Sequence, residues 1–234
     1  MLKMVSSSFY NTLIDNEEAI PKTTMLEIDR IRKKNILFTI NTNRHYKEVL
    51  DYNKSYNFID YIISLNGSYI YDVNKEKCIF KKKLSTVNLK KIKDTYKDKD
   101  IFYYTEDNIL NDYENNDIYK VEIKIDNDLD ELLKRAKKLK VNMSTLSIND
   151  EEFLEITSNN ASMFTGLDKI SLKNNFELKN ILSICGNNSD LPIVKNIEKA
   201  FIVKNSSNLL KKETRRVTFS NNEKGVERVL KKIK

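Results

Sequence analysis

Polar side chains follow four short apolar runs in this sequence, and they are the residues that could act together chemically. The runs end near Ser8, Thr42, Asn66 and Gly186, and Asp190 comes shortly after the last of them. If the runs are strands of one open α/β sheet, their carboxyl ends meet at one edge, where such sheets bind ligands. The side chains in this set are hydroxyl and amide groups and one carboxylate. Together they are a weak set of ligands for a metal ion, and no evident general base is among them.

A nucleophile at this edge would need a general base beside it, and the nearby sequence does not supply one. A serine hydroxyl such as that of Ser8 is a poor nucleophile without an adjacent base. Tyr10 cannot be that base near neutral pH, because an unperturbed phenol titrates at about 10. His45 is the only histidine and stands beside Arg44 at the start of a predicted helix. The sequence therefore predicts an edge where covalent chemistry is weak or missing.

The pattern of apolar residues predicts the elements that position this edge. Nearly continuous apolar runs are typical of strands buried on both faces of a parallel sheet. Met25, Ile28 and Ile31 have helical spacing in the stretch after the first run, and residues 44–56 are predicted to form a second helix. Strand, helix, strand, helix, strand is the order of a doubly wound α/β fold. The runs are LKMVS at 2–6, NILFTIN at 35–41, YIISLN at 61–66 and ILSIC at 181–185.

The middle of the chain has a different pattern. Residues 69–84 are predicted to form a hairpin, and the following block mixes helices with alternating strands in an α+β order. The α/β order returns at 181–186, with further strands expected at 199–205 and 215–221 and a closing helix. We predict a core domain from residues 1–83 and 151–234, with residues 84–150 inserted as an α+β cap domain.

Composition narrows the class of protein. The 234 residues carry a formal net charge of +7, but the lysines are scattered, so a nucleic-acid-associated protein is the third-ranked alternative. No apolar run approaches the roughly 18 residues that a membrane span needs. Cys78 and Cys185 match no metal or redox spacing, which favours a reducing cytoplasm.

Five segments resemble, in order, the motifs of the haloacid dehalogenase (HAD) superfamily, specifically its Cof-type sugar-phosphatase branch. Where members read DLDGTLL, FxIATGR and xxNGAxIxD, this chain reads SFYNTLI, FTINTNR and SLNGSYIYD. Where they read EIxPxGVxKGxAL and GDxxND, it reads EITSNNASMFTGL and CGNNSDLPIV, the last one residue short. The resemblance runs over essentially the whole chain. It implies a HAD-like Rossmannoid core with a parallel sheet and a reduced α+β cap between the second and third motifs.

The resemblance also implies that the catalytic groups are replaced. Ser8 stands where the family has its nucleophilic Asp, and Tyr10 where it has the acid/base Asp. Met163 stands at the position of the motif lysine, and Asn187 at that of a magnesium-binding Asp. Asp190 is left as a vestigial metal position, so no cofactor is expected, and Mg²⁺ only if activity remains. The remaining phosphate- or ligand-binding candidates are Thr12, Thr42, Arg44 and Asn66.

Each retained residue also has a simpler interpretation. Thr42 could close the strand end and cap the next helix, and Arg44 could be a surface or ion-pair residue. Asn66 stands in an Asn-Gly turn signal, and Asp190 could cap the helix that follows Gly186.

These features predict a phosphatase-like protein that has lost catalysis and acts as a binding or regulatory module. Its partner would be a small phosphorylated metabolite, a neutral analogue or a protein. The alternative is a low-activity phosphatase of sugar phosphates or other small phosphomonoesters. With the charges gone, we further expect the Tyr10 ring to lie across the former phosphate site, beside Met163.

Overall fold

The computed structural model describes residues 1–126, 128–148 and 150–234, which form two sheets and eight helices. The strands are β1 Met4–Ser8, β2 Leu37–Asn41, β3 Tyr61–Ser64, β4 Tyr69–Asp72, β5 Lys77–Lys81, β6 Ile101–Tyr104, β7 Ile109–Leu110, β8 Lys120–Ile125, β9 Val141–Ile148, β10 Glu151–Ser158, β11 Ile181–Cys185 and β12 Lys199–Ile202. The helices are α1 Lys22–Arg32, α2 Tyr46–Tyr56, α3 Thr86–Thr95, α4 Leu129–Ala136, α5 Met163–Lys173, α6 Leu191–Asn196, α7 Asn208–Glu213 and α8 Gly225–Leu230. Among these helices none is long and apolar enough to cross a bilayer.

The larger sheet has seven strands in the order β12-β11-β1-β2-β3-β4-β5. The first five are parallel, and β4 and β5 add an antiparallel hairpin. β1 is the central one of the five parallel strands. The chain continues to β2 and β3 on one side of β1 and to β11 and β12 on the other, and this change of direction leaves a crevice at the carboxyl end of β1. The predicted doubly wound α/β core is confirmed, and Ser8 lies at this crevice beside Asn41 of β2.

Alternate residues of the central strands pack against helices on opposite faces of this sheet. Val5 and Ile62 face a cluster that includes side chains of α1, α2 and α8. Met4 and Ile63 face a second cluster built with α5, α6 and α7. Because successive side chains of a strand point to opposite faces, a sheet covered on both faces requires the uninterrupted apolar runs seen in the sequence.

The smaller sheet has five antiparallel strands in the order β7-β6-β8-β10-β9. One of its faces buries Val121, Ile123, Leu154 and Ile156 among side chains of α3 and α4. The other face carries the alternate, polar residues and lies over the carboxyl edge of the larger sheet, where contacts such as that of Asn43 with Glu155 join the two.

The boundary predicted between residues 150 and 151 does not separate the two sheets. Strand β10 pairs with both β8 and β9, so residues 151–158 belong to the smaller sheet, where Leu154 and Ile156 find their apolar partners. The strand predicted at 215–221 is also wrong. Only a single bridge joins Val217 to Ile202, and Val217 and Phe219 remain about half exposed, so this segment has no buried face to hold it as a strand.

Where the chain returns from the smaller sheet, it touches the turn after β3. Gly67 has φ of +89°, a conformation that favours glycine. A Cβ atom there would lie 2.0 Å from the carbonyl oxygen of Ser162. Both the backbone conformation and this close approach therefore require glycine in the Asn66–Gly67 turn.

Candidate functional site

Ser8 and Asp190 form a hydrogen-bonded pair at the centre of the crevice. Ser8 is the last residue of β1, and Asp190 closes a helical turn that follows β11, the neighbouring parallel strand. The Ser8 hydroxyl donates to Asp190 Oδ2 over 2.6 Å, and both side chains are fully buried. The nucleophile position therefore has a carboxylate partner, which spacing in the sequence did not reveal because 182 residues separate the two.

Asp190 is held by its own loop as well. Its Oδ2 also accepts the backbone N–H groups of Gly186 and Asn187, each at 2.9 Å. Burial raises the pKa of Asp190 above its ordinary value, although the three donated hydrogen bonds act in the opposite direction. The suggested role as cap of the following helix is not observed, since the side chain turns back to the loop and makes no capping bond to α6.

Tyr10 does not lie where its prediction placed it. Its hydroxyl donates to Glu48 of α2 at 3.3 Å, and the Arg44 guanidinium stacks over its ring at 4.0 Å. Met163 begins α5 and is buried in the cluster on the opposite face of the larger sheet. Burial, reinforced by Glu48 and partly offset by Arg44, raises the pKa of Tyr10 to about 12. The phenol is thus a neutral wall of the crevice and cannot serve as a base.

Three polar residues complete this wall. Arg44 also pairs with Glu48 at 3.4 Å, and Thr42 Oγ1 accepts the backbone N–H of Arg44, so Thr42 closes the turn after β2. The Asn187 side-chain amide donates to the backbone carbonyl of Tyr10 at 3.2 Å. A polar cavity of about 360 Å³ opens beside Tyr10, Arg44 and Asn187.

The other two predicted ligand-binding residues do not line that cavity. Thr12 is buried, and its hydroxyl has no hydrogen-bond partner among the described residues. Asn66 is turned toward the smaller sheet, where its amide donates to Ser144 at 3.1 Å. His45 makes a hydrogen bond with the Thr105 carbonyl at 3.1 Å, and burial lowers its pKa, so it too is engaged by the smaller sheet.

A buried charge network, which the sequence analysis missed, covers the crevice. Lys120 is 1% exposed, and its ammonium lies 2.6 Å from Glu122, 3.3 Å from Glu155 and 2.6 Å from the Asn43 carbonyl oxygen. Tyr104 donates to the second oxygen of Glu122, and the Lys120 ammonium lies 4.1 Å from the centre of the Tyr104 ring.

This network joins the two sheets directly. Glu155 also accepts from Asn43 of the larger sheet at 3.2 Å and from Ser144 of β9 at 2.7 Å. The signal for it was in the sequence, because Lys120 and Glu122 alternate with apolar residues in IYKVEIKI. The alternation does not show that this polar face packs against the larger sheet's side of the molecule and is not exposed to water.

The residues of the crevice do not fit a magnesium ion. Mg²⁺ is held in proteins by carboxylates together with substrate phosphate and water. Asp190 Oδ1 is the one buried carboxylate oxygen here without a partner among the described residues. Asn187 presents an N–H, and its orientation is fixed because a flipped amide would set its oxygen against the Tyr10 carbonyl. Within residues 1–126, 128–148 and 150–234, no group of three or more His, Cys, Asp or Glu side chains could hold a metal ion.

Comparison with known proteins identifies relatives of both the sequence and the fold. The family model of the haloacid dehalogenase-like hydrolases matches residues 11–115 and 101–230. A protein of Buchnera aphidicola subsp. Schizaphis graminum named "Putative phosphatase" is 30% identical over 128 residues. That match spans 54% of this chain and 44% of the relative, so it extends over less than half of the curated protein's length.

Solved structures match over the whole chain. A haloacid dehalogenase-like hydrolase from B. subtilis superposes with a TM-score of 0.89 at 15% identity, covering 100% of both chains. A sugar phosphatase of HAD subclass IIB superposes with a TM-score of 0.86 at 17% identity, covering 98% of both chains. At these identities the superpositions establish a shared fold.

Proposed function

Since the chain belongs to the haloacid dehalogenase-like hydrolases, we propose that it is a catalytically inactive, phosphatase-like member of the Cof type that works by binding. Its ligand would be a small phosphorylated metabolite or a neutral analogue, or else a protein partner. A cytoplasmic setting is part of the proposal, supported by the two free thiols Cys78 and Cys185.

The observation that carries the proposal is that Ser8 is buried and hydrogen-bonded to Asp190. An attacking group must reach the phosphorus atom, but Ser8 has no exposed surface, and its proton is engaged by Asp190. Asp190 in turn is saturated on Oδ2 by three donors, two of which are rigid backbone groups. These hydrogen bonds favour the charged form of Asp190 and oppose the rise in its pKa that burial causes.

The charge pattern around Ser8 supports the same proposal. Phosphoryl transfer depends on cations that offset developing negative charge. Met163 supplies none at the position of the motif lysine and is buried among apolar side chains. The Arg44 guanidinium is already engaged by Tyr10 and Glu48.

The second candidate function, a low-activity phosphatase, is favoured by the same 2.6 Å hydrogen bond. In such a reaction Ser8 Oγ would attack phosphorus, and its proton would pass to Asp190 Oδ2. The P–O bond would break with its electrons on the substrate oxygen, which would take up a proton from water and leave as the alcohol. Water would then hydrolyse the phosphoserine to restore Ser8. Opening of the smaller sheet would have to precede attack, because Glu155 and Lys120 close over the crevice.

An assay against a panel of phosphomonoesters with Mg²⁺ distinguishes the two functions. The panel is run with the parent chain, Ser8→Ala and Asp190→Asn. Ser7→Ala is the matched control, because Ser7 is equally buried on the same strand but points to the opposite face.

We expect no turnover above that of a mock preparation, and the same result for all variants. Turnover above that of the mock preparation that disappears in Ser8→Ala and persists in Ser7→Ala would overturn the proposal, even at a rate well below the roughly 1 per second of an ordinary enzyme. Thermal-shift measurements with the same esters and their dephosphorylated counterparts then test binding, since a ligand of the folded state raises the melting temperature.

A further inference from the structure

The positive net charge of the protein lies in its last 36 residues. Residues 199–234 contain eleven lysines and arginines against three glutamates, a formal charge of +8, whereas the whole chain carries +7. The first 198 residues, with 30 basic and 31 acidic side chains, are almost neutral. Lysines occur along the whole chain, but the net charge does not, and such an asymmetry indicates a polyanionic partner for the basic part.

These basic residues surround one edge of the larger sheet. Strand β12 is the outermost strand on its side, and the chain then passes from α7 on one face of the sheet to α8 on the other. Between these helices, residues 215–219 run along β12. The backbone N–H of Ile202 donates to the Arg216 carbonyl at 2.9 Å, and the N–H of Thr218 donates to the Ile202 carbonyl at 2.8 Å. Together with Lys204 and Arg228, residues 215–219 form what we call the β12 edge.

The arginines of the β12 edge differ from the other arginines of the protein. The chain has seven arginines, and four of them pair with carboxylates, namely Arg30, Arg32, Arg44 and Arg135. The other three are exposed and have no carboxylate partner among the described residues, namely Arg215, Arg216 and Arg228. The forked donors of arginine match the oxygens of a phosphate group, so three such groups are available to a partner at this one edge.

Phe219 adds an exposed aromatic ring at the same place. This residue is 48% exposed, and the Arg228 guanidinium lies over its ring, 4.9 Å from the ring centre. The Phe219 carbonyl accepts the backbone N–H of Lys204 at 3.4 Å, which brings a fourth exposed cation to the edge. Aromatic rings and guanidinium planes are the groups on which proteins stack unpaired bases.

We propose that the β12 edge binds single-stranded nucleic acid, with Lys204, Arg215 and Arg216 on the phosphates and a base stacked at Phe219 and Arg228. The scattered lysines made nucleic acid the third-ranked alternative, but the arginines that support the proposal are not scattered. An anionic membrane attracts lysine as well as arginine, and it would give no reason for three of seven arginines to lie here in a chain with 34 lysines. None of these residues lines the cavity beside Tyr10, so the proposal goes beyond the proposed function and is independent of it.

The test measures the fluorescence anisotropy of a labelled single strand of about 12 nucleotides and mixed sequence, as RNA and as DNA, titrated with the full chain. At about 50 mM salt we expect a Kd of about 10 µM, which is typical of binding without sequence preference. The logarithm of the binding constant should fall with the logarithm of the salt concentration with a slope of about −3, because each of four cations contributes about 0.7 on a single strand. A duplex of the same sequence should bind about fivefold more weakly, because its bases are not free to stack on the protein.

One pair of variants tests the arginines. Arg215→Gln combined with Arg216→Gln should weaken binding about tenfold and make the salt slope shallower by about 1.4. Lys137→Gln combined with Lys138→Gln is the matched control, since these lysines are also adjacent, exposed and without a carboxylate partner in the described part of the chain, but lie at the end of α4. The control should bind within about twofold of the parent.

A second pair of variants tests the ring. Phe219→Leu keeps an apolar side chain but removes the stacking surface, so it should weaken binding about fivefold and leave the salt slope unchanged. Val217→Ala is its control, because Val217 is also 48% exposed on the same edge but offers no ring, and this variant should bind like the parent.

Three results would each overturn the proposal: no saturable binding of either strand, tighter binding of the duplex, or equal losses in the arginine and lysine variants. Absence of binding is also what is expected if these cations serve only to keep the sheet edge from pairing with another chain. Binding to vesicles of phosphatidylserine and phosphatidylcholine without binding to the oligonucleotides would overturn it as well and assign the edge to a membrane surface. An active phosphatase would refute the proposed loss of catalysis without changing any of these titrations.

Discussion

Replacing Lys120 by methionine tests whether the charge network is as buried in solution as the structure shows. The substitution keeps an unbranched side chain that is one atom shorter, and it removes an ammonium that lies 2.6 Å from both Glu122 and the Asn43 carbonyl oxygen. The side chains of Glu122 and Glu155 are 7% and 1% exposed and would be left without their cation. Breaking a buried ion pair in this way costs about 3–5 kcal/mol.

That cost is large compared with the stability of a typical domain, which is about 5–15 kcal/mol. For a chain of this length, about 2–4 °C of melting temperature is lost per kcal/mol. Lys120→Met should therefore melt about 6–20 °C below the parent. Urea unfolding followed by circular dichroism measures the free energy directly, and the melting temperature provides a second readout.

Lys124→Met is the matched control for this experiment. Lys124 lies on the same strand and the same face as Lys120 and pairs with Glu151 at 2.6 Å, but its side chain is 35% exposed. Exposed ion pairs contribute about 0–1 kcal/mol, so this variant should unfold almost like the parent. Equal and small losses in the two variants would refute the reasoning, because Lys120 would then be solvated and the smaller sheet would stand open in solution.

Three further predictions concern the crevice itself. Burial raises the pKa of Asp190, so above about pH 3.9 the folded state keeps a proton that the unfolded state releases. The unfolding free energy of the parent minus that of Asp190→Asn should therefore fall as the pH rises from about 3.9 toward the pKa of Asp190 in the folded state, and a rise in this difference would contradict the prediction. Tyr10→Ala should cost about 2 kcal/mol, roughly half the value for a fully buried aromatic, whereas Tyr10→Phe should cost at most about 0.5 kcal/mol; equal unfolding free energies for the two variants would show that the ring does not pack. Ser8→Asp and Asn187→Asp together should improve Mg²⁺ binding by more than the sum of the single changes, because both ligands would hold one ion; calorimetric titration checks this, and strictly additive effects would count against it.

The core was predictable because its signals are local and its geometry follows from topology. Apolar runs as short as 35–41 and 61–66 are typical of strands covered on both faces, and parallel strands bring their carboxyl ends to one edge. Ser8 and Gly186 are accordingly neighbours, on β1 and just after β11.

The predictions failed where a side chain or a strand had more than one set of partners available. Tyr10 follows β1 and was expected to turn toward Met163, but Glu48 and Arg44 on the α2 side supply a hydroxyl partner and a cation for its ring. Strand β10 was assigned to the core because its sequence leads into the α5 motif, whereas its pairing partners precede it in the chain. The pairing of Ser8 with Asp190 was beyond sequence reasoning, since a hydrogen bond across 182 residues depends on the register of β1 against β11.

The contact between Gly67 and Ser162 has a consequence for how the smaller sheet can move. With the Ser162 carbonyl oxygen 2.0 Å from where a Cβ at position 67 would be, the returning chain touches the turn after β3 closely. The outgoing crossing is held as well, because the backbone N–H of Lys82 donates to the Ser68 carbonyl and that of Leu84 donates to the Ile118 carbonyl, each at 2.8 Å. Separation of the smaller sheet from the crevice would therefore strain both crossings, and at the β6–β7 edge it would also have to break the contacts of His45 with Thr105 and of Lys47 with Asp107.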